Sequence, residues 1–295
     1  MARVEWTAAQ KRHLAAFFGF GSPSAPLVYD SLGSDFFAAL AGDWLNLGLW
    51  EGPGTEDEAA VASRRLVEAL TAPLPERAAI MDVGNGLGAS DEVIAERLTP
   101  ERLVALNITL TQLRAGRGHL RAANAQPVCA DASRLPLADD RFDGLISVEA
   151  AFHFPSRARF LAEAARVLRP GGVLSFSDVI TNRFPRTPGE VLAGLTSLRF
   201  WALDRGSVVA ADQLTQAITR AGFTDVRLER VGQRVFTPVL SYLRQRLTHR
   251  PEGVPVGQWR SAQLMVSQWD LLWRRGVIDY VLVSARLNSS ARQPG

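Results

Sequence analysis

The chain has 295 residues, of which 47% are hydrophobic and 21% are charged. A chain of this length can bury about three quarters of its unfolded surface, so it needs no disulfide or metal to fold. The composition excludes disordered and fibrous proteins. The formal net charge is +3, and the 33 basic residues include a single lysine, Lys11. Because the arginines are spread among 30 acidic residues rather than clustered, we expect no nucleic-acid partner.

The single cysteine, Cys129, excludes an internal disulfide and a zinc site built from several cysteines, and it suits a reducing compartment. The N-terminal residues lack the apolar run of a secretory signal. No segment approaches the roughly 20 uninterrupted apolar residues of a membrane span. We therefore expect a soluble, cytoplasmic protein with no membrane partner, and homo-oligomerisation is left open.

The first half of the chain divides into a helical segment and a series of βα units. Residues 1–78 are rich in aromatic side chains at helical spacing, which predicts an N-terminal helical cap. From residue 79 onward, short apolar runs alternate with amphipathic segments, the pattern of a mostly parallel sheet. The five predicted strands of this region are 79–83, 103–107, 127–130, 144–148 and 172–178. The predicted helices between them are 90–98, 111–123 and 156–168.

The second half adds helices at 191–201 and 211–221 and strands at 224–231 and 277–285. The segment between the last two strands carries aromatic residues at helical spacing and is too long for a hairpin loop. The sequence therefore predicts an α/β fold with a doubly wound, seven-stranded, mostly parallel sheet, an N-terminal helical segment and a helical lid. The predicted parts are a cap at 1–78, a core at 79–231, a lid at 232–276, and a final strand with tail at 277–295.

A glycine-rich turn follows the first predicted strand. It contains Asp82, Gly84, Asn85, Gly86 and Gly88. Glycine is needed where a tight turn leaves no room for a Cβ atom and where backbone N–H groups meet a ligand. The spacing also satisfies the dinucleotide fingerprint, so the turn alone does not separate nicotinamide binding from other ligands.

Polar residues at the ends of the following strands favour a different ligand. A dinucleotide site needs an acid about 20 residues further on, where the sequence has Asn107. Asp82 precedes the first glycine by two residues, a place where a carboxylate can meet a ligand ammonium group. Asp131 and Glu149 follow the third and fourth predicted strands, at the edge where open α/β sheets bind ligands. A positively charged, amino-acid-like ligand is favoured.

Three segments resemble the class I S-adenosylmethionine-dependent methyltransferases: IMDVGNGLG at 80–88, CADASRLPLADDRFDGLISVEAAFHF at 129–154 and RVLRPGGVLSFSDV at 166–179. The segment with Tyr29 and LNLGLW at 45–50 is similar to natural-product O-methyltransferases of that family. The resemblance implies S-adenosylmethionine as cofactor and a small-molecule acceptor. It implies that the cofactor is bound by the following residues: Tyr29, Asp82, Gly84, Asn85, Gly86, Gly88, Asn107, Gln112, Asp131, Ala132 and Glu149.

Methyl transfer to a hydroxyl group needs alignment and a base that takes the proton. His153 follows the fourth predicted strand, and imidazole titrates in the useful range. Asp178 ends the fifth strand and could hold the second ring nitrogen or the acceptor; the resemblance implies catalytic roles for both residues. Asp139, Asp140 and Asp143 crowd a turn, so we expect no metal site. Carbon or nitrogen methylation, and a methyltransferase-fold cyclase that transfers no methyl group, are alternatives.

Overall fold

A computed structural model describes residues 43–289, except 155, 201–207, 251, 253 and 255; the side chains of Phe200 and Gln258 are also outside the description. Tyr29, most of the predicted N-terminal cap and the last six residues of the tail lie outside the described residues. Within these ranges, no helix is long and apolar enough to cross a bilayer.

One seven-stranded sheet organises the described chain. Its strands are β1 Ala79–Val83, β2 Arg102–Asn107, β3 Ala125–Cys129, β4 Phe142–Ser147, β5 Leu168–Thr181, β6 Phe223–Arg230 and β7 Ile278–Leu287. The spatial order is β3-β2-β1-β4-β5-β7-β6. The first five strands pair in parallel, and β7 runs antiparallel between β5 and β6. The predicted fold class is confirmed.

Helices cover both faces of the sheet. They are α1 Glu56–Thr71, α2 Ala89–Leu98, α3 Leu110–Ala115, α4 Arg117–Ala122, α5 Arg157–Val167, α6 Pro188–Phe200, α7 Ala211–Arg220, α8 Gly232–Arg246 and α9 Val256–Arg274. Successive residues of β1 point to opposite faces. Ile80 belongs to the core cluster with α1 and α8, whereas Met81 belongs to the cluster with α5.

The predicted helix over 111–123 is two short helices joined at Gly116. A Cβ atom on Gly116 would lie 2.2 Å from the Leu87 carbonyl oxygen, so this glycine lets the chain approach the glycine-rich turn. The break therefore brings α3 and α4 against the turn.

The predicted lid over 232–276 contains α8 and α9. Helix α8 buries Val235, Phe236, Val239 and Leu240 in the core cluster that includes Ile80. This part of the segment is a layer of the core as well as a wall over the sheet edge. The division of the chain into four parts stays a prediction.

Candidate functional site

A cavity of about 610 Å³ opens at the carboxyl ends of the parallel strands. This is the edge at which open α/β sheets bind their ligands. Its walls come from residues 43–47, the glycine-rich turn, the ends of β2 to β5, and helices α6, α8 and α9. The volume lies within the range of small-molecule sites. One continuous space therefore connects the turn with the helices that follow β5.

The glycine-rich turn is held by backbone contacts that require glycine. Gly84, Gly86 and Gly88 have φ of +85°, +57° and +90°, in the left-handed region that favours glycine. A Cβ atom on Gly84 would lie 2.3 Å from the Cβ atom of Ala150. The N–H groups of Gly84 and Asn85 donate to the Leu106 carbonyl oxygen at 2.8 and 3.2 Å. Because those two N–H groups already donate to the backbone, a ligand must bind to other groups of the turn.

Asp82 lies directly beneath the turn, beside a second carboxyl group that the sequence did not single out. Ser90 Oγ donates to Asp82 Oδ2 at 2.9 Å, and Asn85 Nδ2 donates to Asp91 Oδ2 at 2.8 Å. Both carboxyl groups are fully buried, and Ser90, not Asp82, forms the cavity wall. In this arrangement Asp82 therefore cannot contact a ligand ammonium group directly. The two carboxyl groups can affect a ligand in the cavity only through Ser90, which lines the cavity wall.

Burial raises the pKa of Asp82 to about 7. Burial and the neighbouring Asp82 raise the pKa of Asp91 well above its ordinary value. Two adjacent carboxyl groups in a buried site do not both ionise readily. The pair therefore holds a proton near neutral pH, and its remaining negative charge lies under the turn.

Asn107, at the end of β2, holds neighbouring residues of the cavity wall in place through hydrogen bonds. Its Nδ2 donates to Gln112 Oε1 at 3.0 Å and to the Gly86 carbonyl oxygen at 3.1 Å. Its Oδ1 accepts from the Thr109 N–H at 3.0 Å and from the Thr109 hydroxyl at 3.2 Å. This oxygen therefore has no lone pair left to accept a hydrogen bond from a ribose hydroxyl, as the predicted ribose contact requires. Gln112 lies on the cavity wall next to it.

Asp131 and Ala132 close the same side of the cavity at the end of β3. Asp131 Oδ1 accepts from the Ser133 N–H at 2.7 Å, which fixes a short turn. Ala132 is buried. These two residues line the cavity together with Gly86 and Gln112, and their contact with a nucleoside stays a prediction.

Glu149 lines the cavity, and its predicted cofactor contact stays a prediction, because its side chain is held from the side of β7. Its Oε1 accepts from the Tyr280 hydroxyl at 2.7 Å and from the Leu47 N–H at 2.8 Å. Its own N–H donates to Ser177 Oγ at 2.9 Å, and its φ of +50° is uncommon for a residue with a side chain. The side chain thus reaches from β4 over β5 to β7, away from β2 and β3. Burial raises the pKa of Glu149 to about 7, although the two hydrogen bonds oppose the shift.

The substitution Glu149→Gln is expected to change how stability depends on pH. The unfolded carboxyl group ionises near its ordinary pKa of 4.5 and the folded one near 7, so raising the pH across this window favours the unfolded wild-type chain. Between pH 5 and pH 8, the free energy of unfolding of the variant should gain about 2 to 3 kcal/mol relative to wild type. Urea unfolding at both pH values measures this. Parallel pH dependences in the two proteins would contradict it.

His153 ends a single 3-10 turn, Ala151–His153, between β4 and α5. Its ring packs on that of Phe152 with 4.1 Å between centroids, and the residue lines the cavity. The structure therefore places the predicted base on the cavity wall.

Asp178 departs from the predicted catalytic role. Its side chain is fully buried, and Arg157 donates Nε to Oδ2 at 2.7 Å and Nη2 to Oδ1 at 2.8 Å. The Val179 N–H also donates to Oδ1 at 2.8 Å. A carboxylate held in this paired geometry is committed to structure. Asp178 ties β5 to the first turn of α5, which follows the His153 turn.

The predicted acidic turn consists of surface ion pairs. Asp139 pairs with Arg166 at 2.7 Å, and Asp143 pairs with Arg169 at 2.6 Å. Within the described ranges, no group of three or more His, Cys, Asp or Glu side chains is arranged to hold a metal ion.

The rest of the cavity wall is apolar and comes largely from elements after β5. Phe184, helix α6, helix α8, helix α9 and the start of β7 all contribute. The side chains that face this part of the cavity are Val179, Ile180, Phe184, Val191, Leu195, Leu198, Val208, Phe236, Leu243, Met265, Trp269, Leu272, Val277 and Ile278. The cavity thus has a polar end at the glycine-rich turn and an apolar end under the helices.

Sequence reasoning missed Asp91, Arg157 and Tyr280. Arg157 and Asp91 lie in helices in which charged residues are usually solvated, and Tyr280 lies within an apolar strand. Each becomes part of the site through a contact with another element. Of the three, only Asp91 could have been found from the sequence, because it follows Asp82 across a tight turn and one helical turn.

Comparison with known proteins identifies the class to which this fold and site belong. A model of the methyltransferase domain matches residues 81–176. The erythromycin 3''-O-methyltransferase of Saccharopolyspora erythraea is 28% identical over 278 residues, which cover 90% of each chain. The 27-O-demethylrifamycin SV methyltransferase of Amycolatopsis mediterranei is 30% identical over 216 residues, covering 70% of this chain and 75% of that protein.

The crystal structure of the 4+2 cyclase SpnF is similar in fold, with a TM-score of 0.69, 20% identity, and coverage of 90% of this chain and 97% of that chain. This chain belongs to the S-adenosylmethionine-dependent methyltransferases. The predicted enzyme class and cofactor are confirmed, and the nicotinamide alternative is wrong.

The described residues fit this cofactor. Oδ1 of Asp82 is buried and has no N–H or hydroxyl donor among the described residues, so the remaining negative charge of the Asp82–Asp91 pair can favour an ammonium group in the cavity through Ser90, without direct contact. The left-handed glycines keep the turn close to the cavity. Asp131 and Gln112 present polar groups to the cavity beside the ends of β2 and β3, where they could meet the nucleoside part of this cofactor.

Proposed function

We propose that the protein transfers a methyl group from S-adenosylmethionine to a hydroxyl group of a bulky apolar metabolite or of its sugar. The observation that carries the proposal is the continuous cavity, whose lining includes the glycine-rich turn, an extensive apolar wall and His153. The named activities of the two relatives on natural-product oxygens support the same chemistry. The acceptor is expected to lie under α6, α8 and α9.

The cofactor supplies an electrophilic methyl group on a sulfonium. The protein's contribution is alignment, because in-line displacement requires the acceptor oxygen within about 3 to 3.5 Å of the methyl carbon. We propose that the glycine-rich turn with Asp82 and Ser90 holds the methionine end, and that Gln112, Asp131 and Ala132 hold the adenosine end. Asn107 orients Gln112 in this arrangement.

The acceptor hydroxyl must lose its proton as the new bond forms. His153 is proposed to receive that proton, since imidazole is the side chain suited to proton transfer near neutral pH. Apolar neighbours exclude water from the acceptor end and so favour transfer to the hydroxyl over hydrolysis.

The variant His153→Gln is expected to lower kcat about 100-fold to 10,000-fold, the usual contribution of a general base. Its affinity for S-adenosylhomocysteine should stay within about twofold of wild type, because the ring is not placed in the cofactor site. Isothermal titration and a methylation assay on a panel of polyketide alcohols measure the two quantities. An unchanged kcat would instead favour a carbon or nitrogen acceptor. Turnover without S-adenosylhomocysteine production would identify a cyclase.

A further inference from the structure

The ionisable groups that line the cavity are strongly biased in sign. In the part of the chain that the structure describes, they are Asp43, Asp131, Glu149 and His153, with no arginine or lysine among the lining residues. This contrasts with a chain in which basic residues outnumber acidic ones. A site that binds phosphate or carboxylate normally presents arginine or lysine. The described walls of the cavity therefore lack the groups that usually recognise an anion.

Glu149 places one of these acidic groups at the end of the cavity proposed for the acceptor. The two hydrogen bonds that its side chain accepts from described residues both fall on Oε1, from the Tyr280 hydroxyl and the Leu47 N–H. The residue is half-buried and lines the cavity, so Oε2 remains the oxygen that can meet an acceptor. The sheet order puts Tyr280 of β7 two strands beyond β4, on the side opposite β2 and β3. The carboxylate is thus fixed on the wall next to the apolar residues.

Apolar side chains continue from the cavity to the protein surface. Phe184 is 80% exposed, and Val191, Leu195 and Val208 are exposed while also lining the cavity. Exposed apolar residues that continue a cavity are typical of a surface that receives a ligand. An acceptor larger than the inner cavity would cover them with its own apolar body.

We propose that the acceptor is an uncharged or basic alcohol with a bulky apolar body, and that Glu149 is the specificity-determining residue that rejects acceptors carrying a phosphate or carboxylate. The inference rests on the proposed function and narrows its substrate class. A like charge beside a fixed, partly desolvated carboxylate is repelled, whereas an ammonium or hydroxyl group donates to Oε2.

A matched set of three probes tests the proposal: cholic acid, its methyl ester and the tertiary amine built on the same skeleton. They share one polycyclic alcohol body and differ in charge. Binding to the protein saturated with S-adenosylhomocysteine at pH 8 is followed by the change in tryptophan fluorescence, since Trp44 and Trp269 line the cavity. We expect the ester and the amine to bind at least about tenfold more tightly than the acid.

Glu149→Gln is expected to reduce the preference for the ester over the acid to about twofold and to remove any advantage of the amine. Glu229→Gln, at an exposed position of β6, is the control and should keep the wild-type preferences. Equal binding of acid and ester to wild type would overturn the proposal without any variant, as would failure of all three probes to bind. Since saturation with S-adenosylhomocysteine is measured first, failure of the proposed function would be seen separately.

Discussion

Gly84→Ala is expected to weaken S-adenosylhomocysteine binding at least about tenfold and to lower the free energy of unfolding by about 2 to 4 kcal/mol. At φ of +85° a side chain is strained. The new methyl group would also lie 2.3 Å from the Ala150 Cβ atom. The turn must therefore move away from β4. Because the turn forms the cavity wall, its displacement also reaches the cofactor site.

The matched control is Gly118→Ala. Gly118 lies in α4, and a Cβ atom there would meet nothing within 4 Å. Alanine has higher helix propensity, so this variant should be as stable as wild type or up to about 1 kcal/mol more stable. Urea unfolding and isothermal titration of both variants measure the effects. A Gly84→Ala protein with wild-type affinity and stability would show that the turn is not built as described.

Arg157→Ala and Asp178→Ala are each expected to cost about 3 to 5 kcal/mol of unfolding free energy, because each leaves a buried charge without its partner. The side chains of Arg157 and Asp178 are only 7% and 0% exposed. The double variant Arg157→Met with Asp178→Leu should recover most of the loss, since apolar residues can replace a buried ion pair at little cost.

Arg169→Ala serves as the control for this pair. Its ion pair with Asp143 is solvent-exposed, and its loss should cost less than about 1 kcal/mol. Urea unfolding at pH 7 gives all four values. If Asp178 were instead the catalytic partner of His153, Asp178→Ala would lose turnover while keeping its stability. That result would contradict the structural role assigned here.

The fold was predictable because its strands carry local signals. Strand β1 was predicted with its observed bounds, since five buried residues are followed by a glycine-rich turn. Strand β3 begins two residues and ends one residue before its prediction, because an edge strand with exposed side chains has a weaker pattern. Strand β5 is longer than predicted because it pairs with β7 through Thr181, a contact more than 90 residues apart in sequence.

The sequence predicted where the site residues lie better than it predicted which groups they contact. His153, Gln112 and Asp131 were placed at the cavity because strand ends meet at one edge of a parallel sheet. The roles of Asn107 and Asp178 depend on partners that no local pattern indicates. Asn107 uses its oxygen on Thr109, and Asp178 uses both oxygens on Arg157.

Isothermal titration of the protein with S-adenosylhomocysteine, with NADH as the parallel ligand, tests the central claim most directly. The account predicts one site with a dissociation constant in the micromolar range, a free energy of about −8 kcal/mol, and no binding of NADH. Gly84→Ala should weaken that site, whereas Gly118→Ala should leave it unchanged. Absence of S-adenosylhomocysteine binding, or binding of NADH in its place, would contradict the assignment of the glycine-rich turn and the cavity above it.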